Sequence, residues 1–357
     1  MSARDTHMNA CWLVLDVGGT NLRLGWYEAE SGILSGVARH PVVNFLRMPG
    51  ATVEQVQEAL LEQLRQLCAD MIAAAPHPAA GIGISFAGPI AEDGLVMDAP
   101  TIWGRRGPPL ALGARLGAAL GLQVEVLNDV TAAAWRYAAA IDEPFCLITV
   151  SSGVGNKVHY QGETLVNRDG YGGEIGHQRV DFAPDAPLCD CGGRGHLGAV
   201  ASGRGAVEVA RRLALAEPEN FAASQLAQLR PGGADEITTH AIVAALAAGD
   251  AFAERCVRHG ATRMARSIAG IYAAIGVRRY LFMGGFAQAL GQRYLDLLAE
   301  ELREAGMFGI EPERIAGLLQ MAEADDDHGL IGAGRYMAAR SAAAQLFPTK
   351  ETPECTL

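Results

Sequence analysis

Two apolar runs in this chain each close on a turn of small residues and are answered at once by a second run. Cys11–Val17 (CWLVLDV) leads through Gly18-Gly19-Thr20 into Leu22–Tyr27, and Phe145–Val150 leads through Ser151–Gly155 into Lys157–Tyr160. Each reads as a strand, a tight turn and a returning strand. One such hairpin opens each half, so the chain reads as a duplication of architecture without duplication of residues. A helical bundle is excluded.

The segments between the hairpins fix the fold class. Val53–Ala75 sets Val53, Val56, Leu60, Leu64, Leu67 and Met71 at helical spacing. Further strands are expected at Val37–Val43, Ile82–Phe86, Val124–Leu127 and Tyr280–Met283. Further helices are expected at Leu110–Leu120, Val130–Ala140, Ala206–Ala216, Ile237–Ala247, Ala251–Ala274, Tyr294–Glu304 and Gly329–Ala344. Strands mixed with helices throughout predict α/β sheets. Gly162–Gly205, rich in Gly, Asp and Cys, reads as a functional or metal-tied loop, Asp325–His328 as a loop, and the tail after Phe347 as frayed.

Composition narrows the function. A chain of 357 residues fits two domains, and 50% hydrophobic residues supply a sizeable core. Lys plus Arg is 29 against 40 Asp plus Glu, a net charge of −11 that argues against nucleic acid as a main partner. No apolar run approaches the ~20 residues that span a bilayer, and MSARDTHMNA lacks the apolar stretch of a signal peptide. A cytoplasmic protein with no membrane contact is expected. Seven cysteines in a chain this long do not form a disulfide framework.

Four motifs carry possible chemistry. Asp16-Val17-Gly18-Gly19-Thr20-Asn21 fits a nest of backbone N–H groups for phosphate, with φ > 0 at the glycines and Asp16 holding Mg²⁺ through water. It also fits a plain turn with a solvated Asp. Ser151-Ser152-Gly153-Val154-Gly155 fits a second phosphate loop or any small-residue turn. Asn128-Asp129, at a strand end before a helix, fits a helix cap or a general base for a substrate hydroxyl. His177, Cys189, Cys191 and His196 offer four ligands suited to a closed tetrahedral Zn²⁺ site, or two reduced cysteines in a glycine loop. A bare loop so flexible gains from a metal tie.

Taken together and in this order, these residues resemble the ROK family of sugar kinases, best known for bacterial glucokinases, over nearly the whole chain. Asp16–Asn21 looks like its first phosphate loop and Gly81–Pro89 (GIGISFAGP) like the following strand and turn. Asn128-Asp129 matches its substrate Asn and catalytic Asp, and Ser151–Gly155 takes the place of its second phosphate loop. Gly173–His177 (GEIGH) is its most specific stretch, Cys189–Gly195 (CDCGGRG) resembles its zinc motif, and Met283-Gly284-Gly285 and Gly329–Ala333 resemble its nucleotide-side loops. The resemblance implies an actin/hexokinase-like (RNase H-like) duplicated α/β fold, with ATP and sugar in a central cleft. The expected domains are a smaller one at 1–127, with helix 329–345 packed on it, and a larger one at 128–328 carrying the zinc loop. It further implies ATP, Mg²⁺ and structural Zn²⁺, with Asp129 as base and Asn128, Glu174, His177, Thr101 and Gly88 on the substrate. Asp16, Gly18, Gly19, Thr20, Asn21, Ser152, Gly153, Gly284 and Gly285 fall on the nucleotide side. His177 would serve zinc with one ring nitrogen and sugar with the other. A homodimer is expected. Some family members are DNA-binding regulators with an added N-terminal helix-turn-helix; a first strand near Cys11 and the acidic charge point away from that.

The chain departs from the family pattern at informative places. His196 stands for a third zinc Cys, Thr101 for a common Asn, Ser151-Ser152-Gly153 for Gly-Thr-Gly, and the unusual Asn156-Lys157 follows. Gly198 stands where the family has a Glu that contacts the sugar near its anomeric end. These departures resemble the branch of kanosamine and C7-cyclitol kinases, and imply an acceptor that lacks the corresponding hydroxyl.

Overall fold

The computed structural model describes residues 10–346. The N-terminal residues 1–9 and the tail expected to fray lie outside the described residues. In chain order come β1 (Cys11–Val17), β2 (Asn21–Glu28), β3 (Leu34–Pro41), α1 (Val53–Ala74), β4 (Ile82–Phe86), α2 (Pro100–Trp103), α3 (Leu112–Leu120), β5 (Val124–Asn128) and α4 (Asp129–Ala138). Next are β6 (Phe145–Val150), β7 (Val154–Tyr160), β8 (Glu163–Thr164), α5 (Leu197–Ala201), α6 (Gly203–Ala216), α7 (Pro218–Ala222) and α8 (Gln225–Leu229). The series ends with α9 (Thr239–Ala247), α10 (Ala251–Ile275), β9 (Arg279–Met283), α11 (Gly285–Leu290), α12 (Gln292–Ala305), β10 (Leu319–Met321) and α13 (His328–Leu346).

The strands form two five-stranded sheets, ordered β3-β2-β1-β4-β5 and β10-β9-β6-β7-β8. In the first, β1 pairs antiparallel with β2 and parallel with β4, and β4 pairs parallel with β5. In the second, β6 pairs antiparallel with β7 and parallel with β9, and β9 pairs parallel with β10. The expected duplication is therefore a duplication of topology.

The chain divides into two compact units. Of the described residues, the first takes in 10–140, 166–171 and 326–346, and the second takes in 141–165 and 172–325. Helix α4, placed by the expected boundary at 128 in the second domain, groups with the first because it packs on α13.

Strand β1 is buried on both faces of the first sheet, which is why it reads as an almost unbroken apolar run. Leu13, Leu15 and Val17 join Leu60 and Leu64 of α1 and Leu116 of α3. Trp12 and Val14 join Leu330, Ala333 and Met337 of α13 on the opposite face. Helix α1 starts at a capping box formed by Thr52 and Gln55. In the second unit, Cys146, Ile148 and Val150 of β6 pack with α6, α9, α10 and α12.

Gly329–Ala333, which resembles a nucleotide-side loop, lies within α13 in agreement with the helix expected at Gly329–Ala344, and its glycines serve packing. A Cβ on Gly332 would overlap the Ala132 carbonyl of α4, and one on Gly329 would lie 2.5 Å from Asp16 Oδ1. Several expectations need correction. Strand β3 starts earlier than Val37, and β10, α7, α8 and α11 were not expected. These are three to six residues long, too short to display a period. Burial pushes the thiols of Cys68, Cys146 and Cys256 up to about 12, so they are inert core residues. No helix among the described residues is long and apolar enough to cross a membrane.

Candidate active site and metal centre

In the first unit, the candidate residues gather at the C-terminal ends of parallel strands. Val17, Phe86 and Asn128 stand in register across β1, β4 and β5. Open α/β sheets bind ligands at such an edge. With neighbouring strands about 4.8 Å apart, the β1 and β5 ends are about 10 Å apart.

Asp16 is no solvated strand end. Its Oδ2 accepts from Arg23 Nη2 at 2.7 Å and its Oδ1 from the Ser85 hydroxyl at 2.8 Å. Arg23 lies opposite Asp16 in the β1–β2 register, is 8% exposed, and also reaches Asp327 Oδ1 at 3.2 Å and the Asp326 carbonyl. A carboxylate has about four lone-pair sites, so the two bonds leave room for a water of Mg²⁺.

The turn after Asp16 differs from the expected nest, because neither Gly18 nor Gly19 has positive φ. Gly18 N–H donates to the Asn21 carbonyl at 3.0 Å, Asn44 Nδ2 to the Gly19 carbonyl at 2.7 Å, and Val42 N–H to the Thr20 carbonyl at 3.2 Å. Glycine is needed at 19 for close approach. A Cβ there would lie 3.0 Å from the Thr101 carbonyl and 3.2 Å from its Cβ. Thr101, exposed on α2, is thus brought against the turn.

Of the two roles that the sequence left open, the structure gives the helix cap to Asn128 and not to Asp129. Asn128 is the cap of α4: its Oδ1 accepts from the N–H groups of Val130 at 3.1 Å and Thr131 at 3.2 Å. Its amide donates to the Gly88 carbonyl at 2.9 Å and to Asp129 Oδ1 at 2.8 Å. Asp129 Oδ1 also accepts from Val130 N–H at 2.9 Å. Asn128 therefore spends its hydrogen-bonding capacity on holding Gly88 and Asp129. Gly88 has φ +151°, and a Cβ there would overlap the Asp98 carbonyl.

In the second unit, strand ends again converge. Thr149 of β6 stands in register with Met283 of β9. Ser151 N–H donates to the Gly153 carbonyl at 2.9 Å, and Gly203 N–H, at the start of α6, donates to the Ser151 carbonyl at 2.8 Å. Gly284 has φ +94°, and a Cβ on it would lie 2.7 Å from the Val150 carbonyl. Ser152 is exposed, and nothing lies within 4 Å of a Cβ at Gly153 or Gly285, so this corner is open.

Glu174 and His177 bracket a short 3₁₀ turn, Ile175–His177. The segment before it is shaped by two residues of β7 whose role the sequence left unassigned. Asn156 N–H donates to the Gly173 carbonyl at 3.3 Å, and its Oδ1 accepts from Ile175 N–H at 3.2 Å. Lys157 Nζ donates to the Gly172 carbonyl and to Glu174 Oε1, the latter at 3.2 Å. The one available signal was two polar residues inside an apolar strand.

His177, Cys189, Cys191 and His196 each offer a ligand atom, all within 4.8 Å of one another. Cys189 Sγ is 3.7 Å from His177 Nδ1, and Cys191 Sγ is 3.2 Å from His196 Nδ1. Zn–ligand bonds of about 2.0–2.3 Å at tetrahedral angles put ligand atoms about 3.3–3.8 Å apart, so the donor set fits zinc. His177 turns Nδ1 to this cluster, which leaves Nε2 on the far side of the ring. Burial raises the Cys189 thiol, and burial with His177 and Arg179 nearby lowers His196 toward its neutral, ligating form. Gly193 is required because a Cβ would collide with the His196 ring.

Residues 12–340 match the ROK family. The chain belongs to the ROK family. It is 47% identical to a C(7)-cyclitol 7-kinase of Streptomyces hygroscopicus subsp. jinggangensis, over 93% of this chain and 95% of that one. It is 29% identical to a 2-epi-5-epi-valiolone 7-kinase of Actinoplanes sp., over 90% and 91%. Among solved structures it resembles a ROK glucokinase from Streptomyces griseus in complex with glucose and AMPPNP, with TM-score 0.67 and 28% identity over 92% of this chain and 99% of that one. The duplicated α/β fold of this ROK protein is the one expected from its sequence.

Proposed function

We propose that this ROK protein transfers the γ-phosphoryl group of ATP to the primary hydroxyl of a C7-cyclitol, or of a closely similar amino sugar or hexose. The observation that carries the reading is the 47% identity to a cyclitol kinase along almost the full length of both chains.

The chain's own residues supply the chemistry. Asp129, held by Asn128 and the Val130 N–H, takes the proton of the attacking hydroxyl. Glu174 and the outward nitrogen of His177 hold ring hydroxyls, with Gly88 and Thr101 also on the acceptor side. The turns at Gly19-Thr20, Ser152-Gly153 and Gly284-Gly285 face the phosphates, while Gly18 closes the first turn through its bond to the Asn21 carbonyl. Asp16 would hold Mg²⁺ through water, and that ion would supply charge neutralisation at the phosphates. His177, Cys189, Cys191 and His196 would hold zinc, which would fix the His177 ring. Catalysis then rests on positioning and charge stabilisation. The enzyme acts in the cytoplasm as a homodimer on a small molecule, not on nucleic acid.

The cyclitol reading is favoured over an ordinary glucokinase by Gly198, which presents no side chain where the family pattern has a sugar-contacting Glu. It is buried on α5, with its Cβ position 3.2 Å from the Gly176 carbonyl and 3.6 Å from Val154 N. The test is a coupled kinase assay giving kcat/KM for valiolone-type cyclitols, kanosamine and glucose. A cyclitol or kanosamine should lead, with glucose trailing by about 10–100-fold, the worth of one hydrogen bond to a charged group. Glucose turnover at ~10⁵ M⁻¹s⁻¹ or better would instead make this a glucokinase with a substituted contact.

A further inference from the structure

Lys157 is 2% exposed in the interior of β7. Lysines are almost never buried so fully unless paired, because an ammonium is costly to take out of water. Its charge partner is Glu174, whose side chain is 46% exposed while that of Lys157 is 3% exposed. The pair therefore has one end locked in the strand and the other at the surface.

The surroundings show what the lock holds. Strand β8 pairs with β7 only at His159 and Tyr160, so the edge of β7 before them has no neighbouring strand. Segment 172–175 runs along that edge, with Asn156 N–H donating to the Gly173 carbonyl as a ladder partner would. Successive side chains of a strand point to opposite faces, so Asn156 and Lys157 grip the segment from two sides. Asn156 Oδ1 takes Ile175 N–H, while Lys157 Nζ takes the Gly172 carbonyl and Glu174 Oε1. The fit leaves no room at Gly173, which has φ +69°. A Cβ there would overlap the Asn156 carbonyl and lie 3.2 Å from Lys157 Cδ.

We propose that Lys157 is a positioning residue for acceptor recognition: it ties Glu174 by Oε1 and the preceding carbonyl by the same ammonium, so that Oε2 is presented in one orientation to an acceptor hydroxyl. This rests on the reading of Glu174 as an acceptor contact. A lysine with a merely structural role would stabilise the fold without changing the kinetics of the folded enzyme.

The test compares Lys157→Met, which keeps an unbranched apolar stem, with Glu174→Gln and the double variant. Lys157→Met should raise KM for the leading acceptor about 10–100-fold, the worth of hydrogen bonds to charged groups, with KM for ATP unchanged. The double variant should be within about 2-fold of Glu174→Gln, because the two residues act as one unit. Unchanged acceptor KM in Lys157→Met, or effects that multiply in the double variant, would overturn the proposal. Should Lys157→Met not fold, Lys157→Gln keeps a donor for the Gly172 carbonyl, and is held to the same two criteria. Amide exchange gives a second, assay-independent arm. Exchange at Gly173–Ile175 should quicken about 10-fold in the Lys157 variant, and unchanged exchange would also overturn the proposal. If the wild type phosphorylates no ring polyol, the kinase reading fails, while the exchange arm still judges the tie.

Discussion

The two hairpins occupy equivalent places in sheets of equivalent order, yet they spend their polar residues differently. From the strand ends inward, Asp16 opposite Arg23 in β1–β2 corresponds to Thr149 opposite Gly155 in β6–β7. One step further, Leu24 and Gly25 correspond to Asn156 and Lys157. The first hairpin puts a charged pair at the strand end and has its outer edge covered by β3, which pairs with β2 from Asn21 to Tyr27. The second has a neutral strand end and an outer edge covered mostly by segment 172–175. An edge covered by an irregular segment has no regular ladder to hold it, so side chains in the strand must supply the partners. Duplicated topology therefore did not duplicate chemistry. One copy presents carboxylates at strand ends, and the other shapes a loop.

The sharpest way to break that division is at Asp129, which follows β5 in the first unit. Its counterpart strand β10 runs instead into Ala322. Asp129→Asn keeps the shape and an acceptor for Val130 N–H but not the basicity. It should cut kcat about 10²–10⁴-fold, with ATP binding and Tm held. A variant keeping more than about half of wild-type kcat would end the assignment.

The second unit is tested at its metal cluster. Protein purified without chelator should carry close to stoichiometric zinc by elemental analysis. Cys191→Ser should lose it and weaken the acceptor about 10–100-fold, since fixing a ligand's ring is worth about that much. Full activity in metal-free protein would show that the loop needs no tie. A smaller effect is expected from Asp16→Thr, which makes the first strand end resemble the second. Removing the carboxylate leaves Arg23, with its side chain 10% exposed, short of one charged partner. The expected cost is ~1–3 kcal/mol of stability, read by denaturant unfolding, together with a higher Mg²⁺ requirement. An unchanged Mg²⁺ titration would remove Asp16 from the metal's surroundings.

How much of this was legible in the sequence follows from the range of each signal. Strands buried on both faces, such as Ile82–Phe86 and Phe145–Val150, appear with their limits because apolar runs bounded by glycine or proline are local. Long amphipathic helices appear for the same reason. Of the motif residues, His177, Cys189, Cys191 and His196 lie together in the fold. What the sequence hides is partnership between distant segments. Nothing local shows that Arg23 holds Asp16 and Asp327, that Gly329 is a glycine because Asp16 lies beside it, or that Asn156 and Lys157 hold a segment 15 to 19 residues on. The turn glycines are the instructive failure. Their number at 18–19 suggested positive φ, whereas the actual demand at 19 is space against Thr101.

That demand supplies the finest comparison of the two turns. Gly19 and Gly153 occupy the tips of the two hairpins, and neither has positive φ. Backbone conformation therefore forbids an alanine at neither, and the difference between them lies in space alone. At Gly19 an added Cβ meets the Thr101 carbonyl at 3.0 Å, a backbone atom that moves only if α2 moves. At Gly153 it meets nothing within 4 Å. Gly19→Ala should therefore cost ~1–3 kcal/mol, the usual penalty for overpacking. Gly153→Ala should stay within about 0.5 kcal/mol of wild type, as surface substitutions do. Denaturant midpoints at constant slope measure both. In activity, Gly153→Ala should be the milder change as well, because backbone N–H groups at an open tip survive a methyl that points to solvent. If the two variants lose equal stability, the contrast between a packed and an open turn is wrong. If Gly153→Ala alone destroys ATP binding, that tip is the closer of the two to the phosphates, and its openness is room for the ligand.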